Sequence, residues 1–398
     1  MRLPLAFALA AVLVAAPPAA DEARDFLRRH WRAPLAPQGP PPAGFSPLEA
    51  SLHPEACGSC HPAQLADWRT SWHAASTGPG VAGQLVEKIS SSPGEVLGCL
   101  TCHAPLAEQA PVVREGGRFS PNPSFDASLL TKGLVCAACH VRRHERFGPP
   151  RRDGSLESPA PRESLPHGGV TRTPAFLASE FCRTCHQFEP DGFALNGKLL
   201  EDTYNEWRAS SHARAGVQCQ DCHMPDRRHL WRGVHDPDMV RSGITVTVDR
   251  GAGRYRAGDT VTLSLTVAST GVGHAFPTYV TPKVVLRAEL LDGAGAVVPG
   301  SVEEVVIARQ VDASLTRELS DTRLMPGQRA TLRYRRRVDG PGVRARLSVV
   351  VYPDAFYTTF YEALLAQGAG RGEPAIREAL AASRRSVFTV FERELPLT

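Results

Sequence analysis

All ten cysteines of this chain sit in five Cys-x-x-Cys pairs, and a histidine follows each pair at once. The five are Cys57-Gly-Ser-Cys60-His61, Cys99-Leu-Thr-Cys102-His103, Cys136-Ala-Ala-Cys139-His140, Cys182-Arg-Thr-Cys185-His186 and Cys219-Gln-Asp-Cys222-His223. With fourteen histidines in 398 residues, five unselected pairs would all carry that histidine with odds on the order of one in ten million. Cys-x-x-Cys-His is the attachment signature of c-type haem. The two thiols add across the porphyrin vinyl groups, and the adjacent histidine is held beneath the ring as an iron ligand. Zinc knuckles would join in pairs to make four-cysteine cages; five knuckles leave one over, and zinc gives no reason for the histidine. A disulfide framework would not space its cysteines three apart five times. The expected cofactors are therefore five covalently attached haem c groups.

The amino terminus fits the compartment this chemistry needs. Arg2, an apolar run from Leu5 to Ala16 and small residues up to Ala20 read as a signal peptide over residues 1–20, too short to span a bilayer. No later stretch of the chain is long and apolar enough for a transmembrane segment. A periplasmic or extracellular location is expected. The 45 basic and 41 acidic residues give nucleic-acid binding no support. Two propionates on each haem make the holoprotein mildly acidic, so any electrostatic docking surface is local.

Two regions separate along the chain. Residues 21–242 hold every cysteine and thirteen of the fourteen histidines. That leaves about 44 residues per haem, too few to bury each porphyrin and also build a separate core. The haems must therefore form the core of a mainly helical region. Residues 243–355 read as strands. Val261, Leu263, Leu265 and Val267 alternate with polar residues, the period of a half-buried strand. Further strands are expected at 244–248, 283–291, 303–311, 329–337 and 345–352, separated by turn signals such as Asp292-Gly293 and Pro326-Gly327. This number of short strands suggests an immunoglobulin-like β-sandwich. Residues 356–398 read as a helical tail, with Phe356, Phe360 and Leu364 on one face and a second helix over 373–390. The expected class is a multidomain α + β chain.

Within the haem region one segment repeats. Asp67-Trp68-Arg69-Thr70-Ser71-Trp72-His73 matches Glu206-Trp207-Arg208-Ala209-Ser210-Ser211-His212 in register. A packed amphipathic helix would account for the tryptophans alone. The recurring histidines make His73 and His212 candidate distal ligands. His229 and His235 flank a tight segment after the fifth motif, His167 lies in a Pro-His-Gly-Gly loop, and His274 lies in the strand-rich region; these complete the distal candidates. His144 could reach only a neighbouring haem, and His30 and His53 read as surface or loop residues. Of the methionines left after Met1, Met224 adjoins His223 and cannot cap the same iron. This supply favours bis-histidine, low-potential haems. Arg142, Arg143, Arg146, Arg151 and Arg152 form a basic stretch, either a solvated loop or a partner for propionates.

The motif array, the Trp-x-x-Ser-x-His segments, Cys-His-Met-Pro at 222–225 and Gly-His-Ala-Phe-Pro-Thr at 273–278 resemble bacterial multihaem cytochromes c. That superfamily includes the nitrifiers' tetrahaem cytochrome, hydroxylamine oxidoreductase and pentahaem nitrite reductase. The resemblance spans about residues 50–280. The nitrite reductases usually carry lysine for histidine in one motif, and all five motifs here end in histidine. The resemblance implies an exported pentahaem electron carrier. Its partners would be redox proteins, either periplasmic or part of a membrane quinol-linked complex. The alternative is a reductase acting on a small nitrogen or sulfur compound at one five-coordinate haem. A docking subunit using its β-domain is a third reading.

Overall fold

The computed structural model describes residues 18–251 and 255–397. The expected signal peptide, residues 1–20, lies outside them apart from the first turn of the helix Pro18–His30.

Residues up to Gly243 form short helices and a few short strand pairs joined by loops, and proline at the first turn opens many of the helices: Pro54–Gly58, Pro62–Arg69, Pro79–Ser91, Pro93–His103 and Pro237–Gly243. Proline is suited to that position because its missing N–H would have no helical partner there. The third and fifth motifs are each a single helical turn, Cys136–His140 and Cys219–His223. A turn puts positions i, i+3 and i+4 on one face, so both cysteines and the histidine point the same way. Apolar clusters in this region are small. One joins Leu35, Trp68, Leu106, Leu129 and Val135, and another joins Leu85, Val96 and Leu100.

Six strands lie where the sequence places them, and two more, at 318–321 and 388–396, lie outside that expectation. They are β1 (Ile244–Asp249), β2 (Thr260–Ser269), β3 (Lys283–Leu291), β4 (Glu303–Val311), β5 (Glu318–Asp321), β6 (Arg329–Arg337), β7 (Arg344–Tyr352) and β8 (Phe388–Pro396). One sheet runs β6-β2-β1 and the other β5-β4-β3-β7-β8, all antiparallel. Leu265 stands opposite Leu332 in the first, and Leu286 opposite Val349 in the second. The side chains of both sheets share one core, with Val261, Leu265, Leu286, Ile307, Leu347 and Val349 fully buried.

The tail departs from expectation at its end. Helices Ala355–Gln367 and Glu373–Arg385 form, but residues 388–396 are strand β8, not helix. Strand β7 offers a free edge beyond β3, and Phe388, Phe391 and Leu395 complete it through pairs such as Leu395 with Ala345, with a register shift at Val390. Before reaching that edge the two tail helices return to the haem region. Ile376 packs so closely on Gly83 of the helix Pro79–Ser91 that a Cβ there would lie 2.8 Å from it.

Two buried ion pairs tie the strands to the helical region. Arg309 of β4, 1% exposed, bonds Glu318 at 2.9 Å and donates to the backbone carbonyls of Leu195, Lys198 and Leu199. Arg323 donates to Glu206 at 2.8 Å.

Candidate cofactor site

A continuous cavity of about 1500 Å³ runs through the helical region to its border with the strands. His61, His103, His140, His186 and His223 line it, together with His73, His167, His212, His229, His235 and His274. Cys57, Cys60, Cys136, Cys139, Cys182, Cys185, Cys219 and Cys222 line it as well. Cys99 and Cys102 complete the ten, all of them free thiols. Thiols of different motifs adjoin: Cys57 hydrogen-bonds Cys136, Cys102 bonds Cys185, and Cys182 bonds Cys219.

The ring nitrogens sort the histidines. His140 donates Nδ1–H to the Phe147 carbonyl at 2.8 Å, and His223 donates to that of Arg232 at 2.6 Å. His103 donates to Ser76 at 2.6 Å and His274 to Ala275 at 2.9 Å. His229 and His167 make the same bond at 3.1 Å, to Arg227 and Gly169. A donated Nδ1–H fixes the tautomer and leaves Nε2 with its lone pair, as a metal ligand requires. Burial favours the neutral ring at three of the cavity histidines: it lowers His73 to about 3, and His140 and His274 to about 4. These side chains and the paired thiols fit haem c.

Other histidines spend Nε2 on the protein. His235 donates it to Asp354 at 2.9 Å and stacks on Trp72, so the nitrogen a distal ligand needs is already engaged. His144 donates to the Gly39 carbonyl at 2.9 Å. His53 pairs with Asp126. His30 is not a surface residue. It is 3% exposed, its Nε2–H bonds the Cys139 carbonyl at 2.8 Å, and it stacks on Phe26. That burial was hidden because its neighbours Phe147 and Phe176 come from far along the chain. His212 has a buried Nδ1 without a partner among the described residues.

Three pairs of histidine rings stand at nearly equal separations. The centroids of His73 and His186 are 6.4 Å apart, those of His140 and His229 are 6.2 Å apart, and those of His223 and His274 are 6.3 Å apart. Among the described residues no histidine ring stands at such a distance from His61 or His103. His61 lies close enough to act electrostatically on His167. Of the basic stretch, Arg146 and Arg151 line the cavity, while Arg142 is spent on the carbonyls of His30, Ala138 and Val141.

The repeated segments are alike in structure as well as in sequence. Trp68 donates its indole N–H to the Leu134 carbonyl at 2.8 Å, and Trp207 donates to that of Val217 at 2.9 Å. Each acceptor lies two residues before a motif. Asp67 accepts the backbone N–H of His229, and Glu206 accepts that of Ala275. Arg228 also pairs with Asp67, at 2.6 and 2.7 Å.

Residues 56–141 match the family model for cytochrome c554 and c-prime, a span that holds the first three motifs. No curated protein matches the chain. Among solved structures, a penta-heme cytochrome c552 from Thermochromatium tepidum aligns with a TM-score of 0.61 and 19% identity, covering 88% of this chain and all of its own. That likeness is one of fold. A structural-genomics target, SoR45, aligns over 27% of this chain and 72% of its own at 14% identity; its TM-score of 0.16 carries no argument. The five motifs supply the ten thiols and five histidines for five covalently bound haem c groups, and the family match over the first three motifs agrees with that chemistry.

Proposed function

We propose that this multihaem cytochrome c carries electrons along a chain of low-potential, mostly bis-histidine haems outside the cytoplasm, between redox partner proteins. One observation carries the reading: eleven histidines, five of them in attachment motifs, converge on one continuous cavity. Bound haem c supplies a one-electron iron couple. The chain's residues hold such groups close together, keep their ligands neutral through burial, and fix imidazole tautomers with carbonyl acceptors. Histidine in both axial positions, in place of methionine, favours low potential. In the same reading residues 21–242 are the cytochrome region and 243–355 an immunoglobulin-like sandwich, with the tail from 356 returning to both. No described helix is long and apolar enough to cross a membrane, which is compatible with an exported protein and a cleaved signal peptide.

A second reading, reduction of a small nitrogen or sulfur compound at one open iron, draws on a specific observation. Among the described residues no histidine ring opposes His103. Around that motif, Glu201 acts electrostatically on Cys102, and Tyr279 feels both Cys102 and Glu201. The dithionite-reduced holoprotein, scanned before and after carbon monoxide, separates the two. An unchanged spectrum supports the carrier with every iron doubly ligated. A shift equal to one haem in five supports the reductase, and turnover of nitrite or hydroxylamine would then establish it.

A further inference from the structure

We propose that three irons are each held between a specific pair of histidines: His73 with His186, His140 with His229, and His223 with His274. The inference rests on the multihaem reading and specifies its ligands.

The separations come first. A metal–nitrogen bond is about 2.0 Å and an imidazole centre lies about 1.1 Å from its nitrogens, so two rings on opposite faces of one iron stand about 6.2 Å apart. The three pairs stand 6.4, 6.2 and 6.3 Å apart. Each pair joins one motif histidine to one histidine outside the motifs, as an iron with a proximal and a distal ligand requires.

The tautomers agree. All four rings of the second and third pairs donate Nδ1–H to backbone carbonyls and present Nε2 bare. His235, whose Nε2 is held by Asp354, belongs to no pair.

The duplicated segment gives a third and independent argument. The Trp68 indole holds the backbone just before the motif that ends in His140, while Asp67 on the same helix holds the backbone of His229. The Trp207 indole holds the backbone just before the motif that ends in His223, while Glu206 holds Ala275, next to His274. In both copies one helix grips the two halves of one proposed iron site. A geometric coincidence in one pair would not recur with its scaffold in the other.

The test uses holoprotein with His73→Met, His229→Met or His274→Met, since methionine keeps a ligand in place. Each substitution should remove the intensity of one haem from the bis-histidine near-infrared magnetic circular dichroism, and His229→Met with His274→Met together should remove that of two. In the reduced protein, the shielded methyl introduced at position 229 should show Overhauser contacts to the haem on Cys136 and Cys139. From position 274 the contacts should reach the haem on Cys219 and Cys222, and from 73 that on Cys182 and Cys185. A methyl contacting a haem on other cysteines, or a variant with full bis-histidine intensity, overturns that pair. If a variant fails to mature, anomalous diffraction at the iron edge of the wild-type holoprotein decides: irons must lie on the three ring-to-ring lines, and irons elsewhere overturn the assignment. Wild-type protein with five haems that does not cycle reversibly would instead count against the carrier reading and leave the pairs standing.

Discussion

Trp231 shows how much one residue can set. Its ring lies 4.6 Å from that of His73 and 5.1 Å from that of His229, so it is wedged between candidate ligands of two different irons. It holds that place with a φ of +42°, a left-handed conformation that costs a bulky residue about 1–3 kcal/mol. Its N–H is fixed to the His223 carbonyl at 2.9 Å. Trp231→Leu should therefore shift the potentials of two haems and leave the rest, read by potentiometric titration with optical detection. His235→Gln should change no haem spectrum, because its Nε2 serves Asp354; losing that bond should cost about 1–2 kcal/mol in denaturant unfolding. At Glu201, burial pushes the carboxyl up to about 7 against the hydrogen bonds from Thr203. The folded chain then keeps a proton that the unfolded chain has lost above its ordinary carboxylate pKa. Stability should fall by on the order of 3 kcal/mol as pH rises from about 4.5 to about 7. Glu201→Gln should flatten that slope, and an unchanged slope in the variant would remove Glu201 as its cause.

Among the elements, the repeated helices do the most positioning. Glu206 and Arg323 have side chains 7% and 10% exposed, and Glu206 also holds Ala275 and Thr278. Glu206→Ala leaves the Arg323 guanidinium with Asp321 alone and unpairs the Ala275 and Thr278 donors, which should cost about 1–3 kcal/mol and loosen the segment carrying His274. Thermal unfolding of the holoprotein measures the first effect, and the optical spectrum of the fifth-motif haem the second. The helix motif Trp-x-x-Ser-x-His was legible because both copies keep acid, indole, hydroxyl and imidazole in register. Its work was not: the acid of each copy grips a segment more than a hundred or about seventy residues away. The strands were legible from alternation alone, since β2 buries every second residue from Val261 to Val267. Strand β8 was misread as helix because its partner β7 supplies an edge that its own sequence does not reveal. The Cys-x-x-Cys-His pattern was legible from spacing; the burial of His30 and the Asp354 partner of His235 were not, because the partners, Cys139 and Asp354, are remote in sequence.

For the whole molecule, the contrast in cores is decisive. The strands bury a large shared apolar cluster, while the helical region surrounds a cavity lined with histidine and thiol. Chain made without haem attachment should lose its helical circular dichroism and retain a protease-resistant part rich in strand, as apo metal-dependent domains do when their ligand supplies the folding energy. A helical signal equal to that of the holoprotein would refute this. The order of the proposed ligand pairs along the chain has a further consequence. The loop from His73 to His186 encloses His140, the loop from His140 to His229 encloses His223, and the loop from His223 to His274 begins before His229 is reached. Each closure thus straddles an end of the next, like links in a chain. A polypeptide that emerges amino end first can take up all five haems before the last link shuts, because His274 follows every attachment motif. The histidine of the β2–β3 loop is then the clasp. Until it arrives, every attachment motif is already in place with the proposed His223 site still open, and a chain that stops short of it is marked by that site.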